Sequence, residues 1–140
     1  MGVRVTRQVS ESFRAFEPCG EAFIARALLR LSEENPTTRA VLPSGSEEFH
    51  ATAFAHLRHI VRNVSKFGSL ESGLTKLGKR ADAAGITPND LQHARRALIV
   101  TMSELLHEEW NDDLHAAWEH TLQAACGAML RGMTPTRRAA

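Results

Sequence analysis

Apolar residues recur three and four positions apart along nearly the whole chain, and no stretch alternates apolar with polar. Spacing of three and four puts side chains on one face of an α-helix, whereas a half-buried strand needs a period of two. Breakers separate the stripes: Asn35-Pro36, Pro43-Ser44-Gly45-Ser46, Phe67-Gly68, and Gly85 followed by Thr87-Pro88. These features alone predict an all-helical bundle.

The stripes place the helices. The first helix is expected around Val9 to Phe16, after a flexible N-terminus at residues 1–8. A second begins near Pro18 and carries Phe23, Ile24, Ala27, Leu28 and Leu31. A short helical turn leads from Asn35-Pro36 to Val41 and Leu42. Ser46 is placed to cap the next helix, with Glu47 and Glu48 at its positive end. That helix bears Phe49, Ala53, Leu57, Ile60, Val61 and Val64, widened by Phe54. Ser69 is expected to cap a shorter helix with Leu70, Leu74, Leu77 and Ala81, which Gly85 terminates. Thr87-Pro88-Asn89-Asp90 combines a capping hydroxyl, a first-turn proline and an acid. The helix it starts carries Leu91, Ala94, Leu98, Met102 and Leu105. Asn111 caps the last helix, with Leu114, Trp118, Leu122, Ala125 and Met129 facing inward. The domain is expected over residues 9–132 and a polar tail over 133–140.

Several partners are disfavoured by the same sequence. The net charge of +1 over 140 residues gives a nucleic-acid backbone or anionic membrane no handle. No apolar run approaches the roughly 20 residues needed to cross a bilayer. Cys19 and Cys126 fit no disulfide framework and no metal spacing, as expected of reduced thiols in a cytoplasmic protein. Met1-Gly2-Val3-Arg4-Val5-Thr6 matches a short myristoylation pattern, but so do many ordinary N-termini.

Three stretches together are similar to a known family. They are the helix ending in Asn35-Pro36 with its turn to Leu42, the run from Leu74 through Lys79-Arg80-Ala81 and Gly85-Ile86-Thr87-Pro88 to Leu91, and Ala116-Ala117-Trp118. In order and spacing they resemble the globins, in particular the single-domain and flavohaemoglobin-type bacterial members. The resemblance implies a globin-like fold of about seven helices. It also implies a haem pocket bordered by Leu42, Phe49, His50, Ala53, Ala81 and Leu91.

The departures from that family bear on function. Globins hold haem iron through a proximal histidine on the short helix before the Gly-Ile-x-Pro turn. The matching residue is Ala81, and no histidine lies between His59 and His93. The phenylalanine that the family packs on the haem edge is matched by Leu42. Flavohaemoglobins use tyrosines and a glutamate around the iron, and this chain has no tyrosine and no acid after Glu119. The expectation is therefore no cofactor, with haem b as the alternative. In that alternative His50, beside the distal position matched by Phe49, supplies the only metal ligand. Otherwise His50 is a histidine in the first exposed turn of an amphipathic helix. A pocket without porphyrin must be filled, collapsed, or given another apolar small molecule. Phe49, Phe54, Met102 and Leu42 are candidates to fill it. Ala81, Ala83, Ala84 and Gly85 would let the short helix move inward, and collapse is the expected outcome.

The other constellations are weaker. Glu47-Glu48-Phe49-His50 and Glu104-Leu105-Leu106-His107 share the Glu-x-x-His spacing of helical di-iron proteins. The further glutamates required, Glu21 or Glu71, lie off the shared stripe. Lys76, Lys79, Arg80, Arg95 and Arg96 make a basic patch, read as haem-propionate contacts or as a solvated face. His56 and His59 are expected on the polar side of their helix. No nucleophile stands at a catalytic spacing, so no enzyme is indicated. Haem-free relatives of globins serve as sensory and scaffold modules, such as the N-terminal domains of stressosome proteins. By that likeness the chain is expected to be a regulatory module. It would meet an unidentified protein partner and dimerise through the helices at 88–108 and 111–131.

Overall fold

The computed structural model describes residues 2–39 and 47–133. Among these there are seven α-helical segments, with 3-10 stretches between α1 and α2, α4 and α5, and α6 and α7, and there is no strand. The segments are α1 (Val3–Phe16), α2 (Gly20–Glu34), the four-residue α3 (Pro36–Arg39), α4 (Glu47–Arg62), α5 (Glu71–Ala83), α6 (Pro88–Leu106) and α7 (Asp112–Gly132). Leu42, Ser46 and most of the tail lie outside the described residues.

Most boundaries follow from local chemistry. Thr87 and Asp90 form a reciprocal capping box at the head of α6, the Thr87 amide donating to Asp90 at 2.8 Å and the Asp90 amide to Thr87 at 3.2 Å. Asn111 caps α7 by accepting from the Leu114 amide at 2.8 Å. α5 stops at Gly85, whose φ of 94° is open to glycine at little cost. The Ile86 amide then reaches back to the Ala81 carbonyl and the Gly85 amide to Asp82, a Schellman ending.

Four expectations are corrected. α1 starts at Val3 rather than near Val9, because Val5 continues the Val9–Phe13 stripe one turn earlier and packs on the core. Much of the stretch expected to be a flexible N-terminus is therefore helical. Ser69 caps nothing: its hydroxyl donates to the Lys66 carbonyl at 2.7 Å, within a 3-10 stretch from Val64 to Leu70. Leu105, expected to face inward on α6, is 44% exposed, and Leu106 takes the core position. Met133, expected to open the polar tail, is 1% exposed and belongs to the core.

The interior has two packed bodies. The larger is aromatic. Phe13 stacks on Phe54 at 5.4 Å, Phe16 on Phe23 at 4.8 Å, and Phe16 meets Trp118 at 6.0 Å. The Trp118 indole donates to the Ser12 hydroxyl at 2.9 Å, which fastens α1 to α7. The smaller body is aliphatic and joins Ile60, Leu70, Leu74, Ala125 and Ala128. Its seam is a backbone-close crossing of α5 and α7. A Cβ built on Gly78 would stand 1.9 Å from the Met129 carbonyl oxygen, and one built on Gly132 would stand 1.9 Å from that of Thr75. The Thr75 hydroxyl lies 3.2 Å from the Ala128 carbonyl across the same seam.

Candidate functional site

Between the two packed bodies lies a partly open cavity of about 270 Å³. Six helices form its wall, α3 through Thr38 alone. α2 contributes Ile24, Ala27, Leu28 and Leu31, and α4 contributes Phe49, Ala53, His56, Leu57 and Ile60. α5 gives only Leu74 and Leu77, with Ile86 just beyond its end. α6 and α7 complete the wall, chiefly with Leu91, Ala94, Leu98, Leu122, Ala125 and Met129.

The expected pocket residues divide. Phe49, Ala53 and Leu91 are in the cavity wall. His50 and Ala81 are partly buried but outside the wall. Ala81 instead uses its carbonyl in the Schellman ending of α5. A chamber remains, and two of the expected fillers are elsewhere. Phe54 lies over Gly20 and against Phe13, and Met102 is fully buried in the aromatic body. The close approach of the short helix runs through Gly78 and Gly132, not through Ala81, Ala83 and Ala84.

Five polar side chains reach an otherwise apolar wall: Thr38, His56, Asp90, Arg95 and Cys126. Thr38 donates to Asp90, which also holds the Thr87 cap, so α3 is tied to the head of α6. Burial pushes the Asp90 carboxyl up, but hydrogen bonds from Thr38 and Thr87 outweigh it and hold the group below its ordinary value. Arg95 pairs with Glu119 and donates to Gln92 at 2.7 Å. Burial pushes the Cys126 thiol up, so it stays protonated.

His56 corrects the expectation of a solvated ring. It is half-buried in the cavity wall, and its pKa is lowered, first by desolvation and then by Arg80 and His59. It is therefore neutral near pH 7. Sequence reasoning missed it although the signal was present. Phe49, Ala53, His56 and Ile60 follow the series i, i+4, i+7, i+11, and all four line the cavity.

The di-iron expectation finds no centre. Among the described residues no group of three or more His, Cys, Asp and Glu side chains could hold a metal ion. Glu104 is engaged by Arg30 and Arg26, and His107 turns outward at the end of α6. No helix among the described residues is long and apolar enough to cross a membrane.

A strand-free bundle of helices packed around an apolar chamber defines an all-α domain. Comparison with family models matches the globins over residues 25–129, and the chain belongs to the globin family. No curated protein matches it significantly.

Proposed function

We propose that this globin is a haem-free regulatory module, working through contact with other proteins, whose pocket serves a guest smaller than porphyrin. The observation that carries the reading is Ala81. A methyl group has no lone pair for iron, and α5 presents only the hydrocarbon of Leu74 and Leu77 to the cavity.

Size supports the same reading. A 150 Å³ apolar cavity holds benzene, so about 270 Å³ holds roughly twice that, far less than a porphyrin. The chamber is partly open and its wall is almost wholly hydrocarbon, an apolar surface that a guest would remove from water. The residues present thus do not fit a porphyrin held from the α5 side. Haem held through His50 gains no support either, because that ring is outside the cavity wall. Self-association is expected through the outer faces of α6 and α7, where Leu105 is exposed.

The test is a visible absorption spectrum of the protein expressed with haem supplied. The expected result is no Soret band. A band corresponding to one haem per chain overturns the reading, and its loss in His50→Ala would identify the ligand.

A further inference from the structure

We propose that a second, polar cleft beside α1 binds a small phosphorylated polyol, with the phosphate between Arg14 and Arg62 and the polyol hydroxyls against Thr6, Ser10 and Glu17. The cleft lies between α1 and the corner where α4 passes into the 3-10 stretch Val64–Leu70, and it measures about 320 Å³. It shares no wall residue with the apolar chamber, so the site is independent of the haem-free reading.

The polyol follows from the wall. Phe13, Val61 and Val64 are buried core residues and give the cleft its apolar part, a surface for a short carbon chain. The rest is polar. Thr6, Ser10, Arg14 and Glu17 recur at steps of four, four and three, a polar stripe beside the one that α1 sends into the core. Hydroxyls elsewhere in the helices return to the backbone: Ser12, Thr75 and Thr101 each donate to the carbonyl four residues earlier. Thr6 does not, and its Oγ1 is buried without a hydrogen-bond partner among the described residues. A buried hydroxyl in that state is costly, and a guest oxygen would relieve it. Threonine in a helix has two χ1 wells, so this hydroxyl can turn towards a guest without breaking a bond.

The phosphate follows from the charges. Three charged side chains line the cleft: Arg14 and Arg62 against Glu17. Glu17 is already matched, because the Arg58 Nε stands 3.3 Å from its Oε2. Arg62 lies 3.7 Å from the same oxygen, within ion-pair reach but too far for a hydrogen bond. Arg14 is exposed on α1 and has no ion pair among the described residues. Two guanidinium groups with donors to spare suit the several oxygens of a phosphate dianion. Both arginine contacts of Glu17 fall on Oε2, which leaves Oε1 to accept from a ligand hydroxyl. Scaled from benzene in 150 Å³, a cleft of about 320 Å³ holds roughly a dozen non-hydrogen atoms, the size of a triose phosphate.

Isothermal titration calorimetry of the full chain with glycerol 3-phosphate, inorganic phosphate and glycerol tests the site. Glycerol 3-phosphate should saturate one site per chain, inorganic phosphate should bind about tenfold more weakly, and glycerol should not bind. Arg14→Gln, an exposed change that leaves circular dichroism unaltered, should weaken both phosphates about tenfold. Thr6→Val keeps the shape and removes a hydroxyl that is bonded to nothing, so the variant should unfold no earlier than the parent. It should weaken glycerol 3-phosphate about fivefold and leave inorganic phosphate unchanged. Equal affinity for the two phosphates would mean an adventitious ion only and overturns the proposal. So does a failure of glycerol 3-phosphate to saturate at millimolar concentration, or an Arg14→Gln or Thr6→Val protein that binds it as the parent does.

Discussion

Replacing Gly78 by alanine should open the α5–α7 seam. Alanine would put its Cβ 1.9 Å from the Met129 carbonyl oxygen, a backbone atom that cannot rotate away. Restoring ordinary contact, about 3.5 Å between non-bonded heavy atoms, requires the two helices to part by about 1.5 Å. Overpacking of this kind costs about 1–3 kcal/mol, and more when the backbone must move. Against this, alanine in place of glycine in a helix gains about 1 kcal/mol. The clash wins, and we expect a net loss of about 2 kcal/mol and a fall in Tm of about 6 °C. Gly132→Ala should behave alike, because its Cβ would meet the Thr75 carbonyl oxygen at the same distance. The double variant should lose less than the two singles combined, since one displacement relieves both clashes. Gly127 provides the control. It lies in α7 with nothing within 4 Å of a built Cβ, so Gly127→Ala should stabilise by up to about 1 kcal/mol. Urea unfolding followed by far-ultraviolet circular dichroism measures all four. A Gly78→Ala protein as stable as the parent would refute the reasoning.

Three further changes probe the cavity margin and the α1 contact. Asp90→Ala removes the capping box and the Thr38 tether together and should cost about 2 kcal/mol in urea unfolding near neutral pH. The folded-state pKa of Asp90 lies below its ordinary 3.8, so its contribution is complete above that value and fades as pH falls through the folded one; the variant's acid stability profile should be flatter there. His56 has a folded pKa below 6.5, so the unfolded chain binds the proton first and stability drops as pH falls below 6.5; His56→Gln should remove that slope from unfolding curves taken across the same range. Ser12→Ala leaves the Trp118 indole N–H without its acceptor and should cost about 1–2 kcal/mol, with a shift in tryptophan emission as the check.

Local signals carried most of the fold in the sequence. The Thr87–Asp90 box, the Asn111 cap and the Gly85 stop are each decided by neighbours within five residues, and the structure keeps all three. Properties set by distant packing were not legible. Gly78 and Gly132 read as ordinary helical glycines until α5 and α7 are seen to cross at them. Ser69 had the right chemistry for a cap, but the 3-10 stretch before α5 puts its hydroxyl on Lys66 instead. Leu105 and Leu106 are adjacent, and only the position of α1 and α7 decides which one the core accepts. The site was half legible. Its apolar walls follow the stripes, yet whether the chamber closes depends on where Phe54 turns, and that is fixed by the absence of a side chain at Gly20.

Phe54 and Met102 leave the chamber as a soft joint between an aromatic block anchored by Trp118 and an aliphatic block anchored by the glycine seam. Each block is held together without the other, so thermal opening of α5 can proceed while α1 remains protected, and amide exchange should report two distinct free energies. A guest touching Leu57 and Leu122 on one side and Ile60 and Leu74 on the other would bridge the joint. Occupancy would then register as stiffness transmitted along α4 and α7, a mechanical output that needs neither iron nor a change of shape.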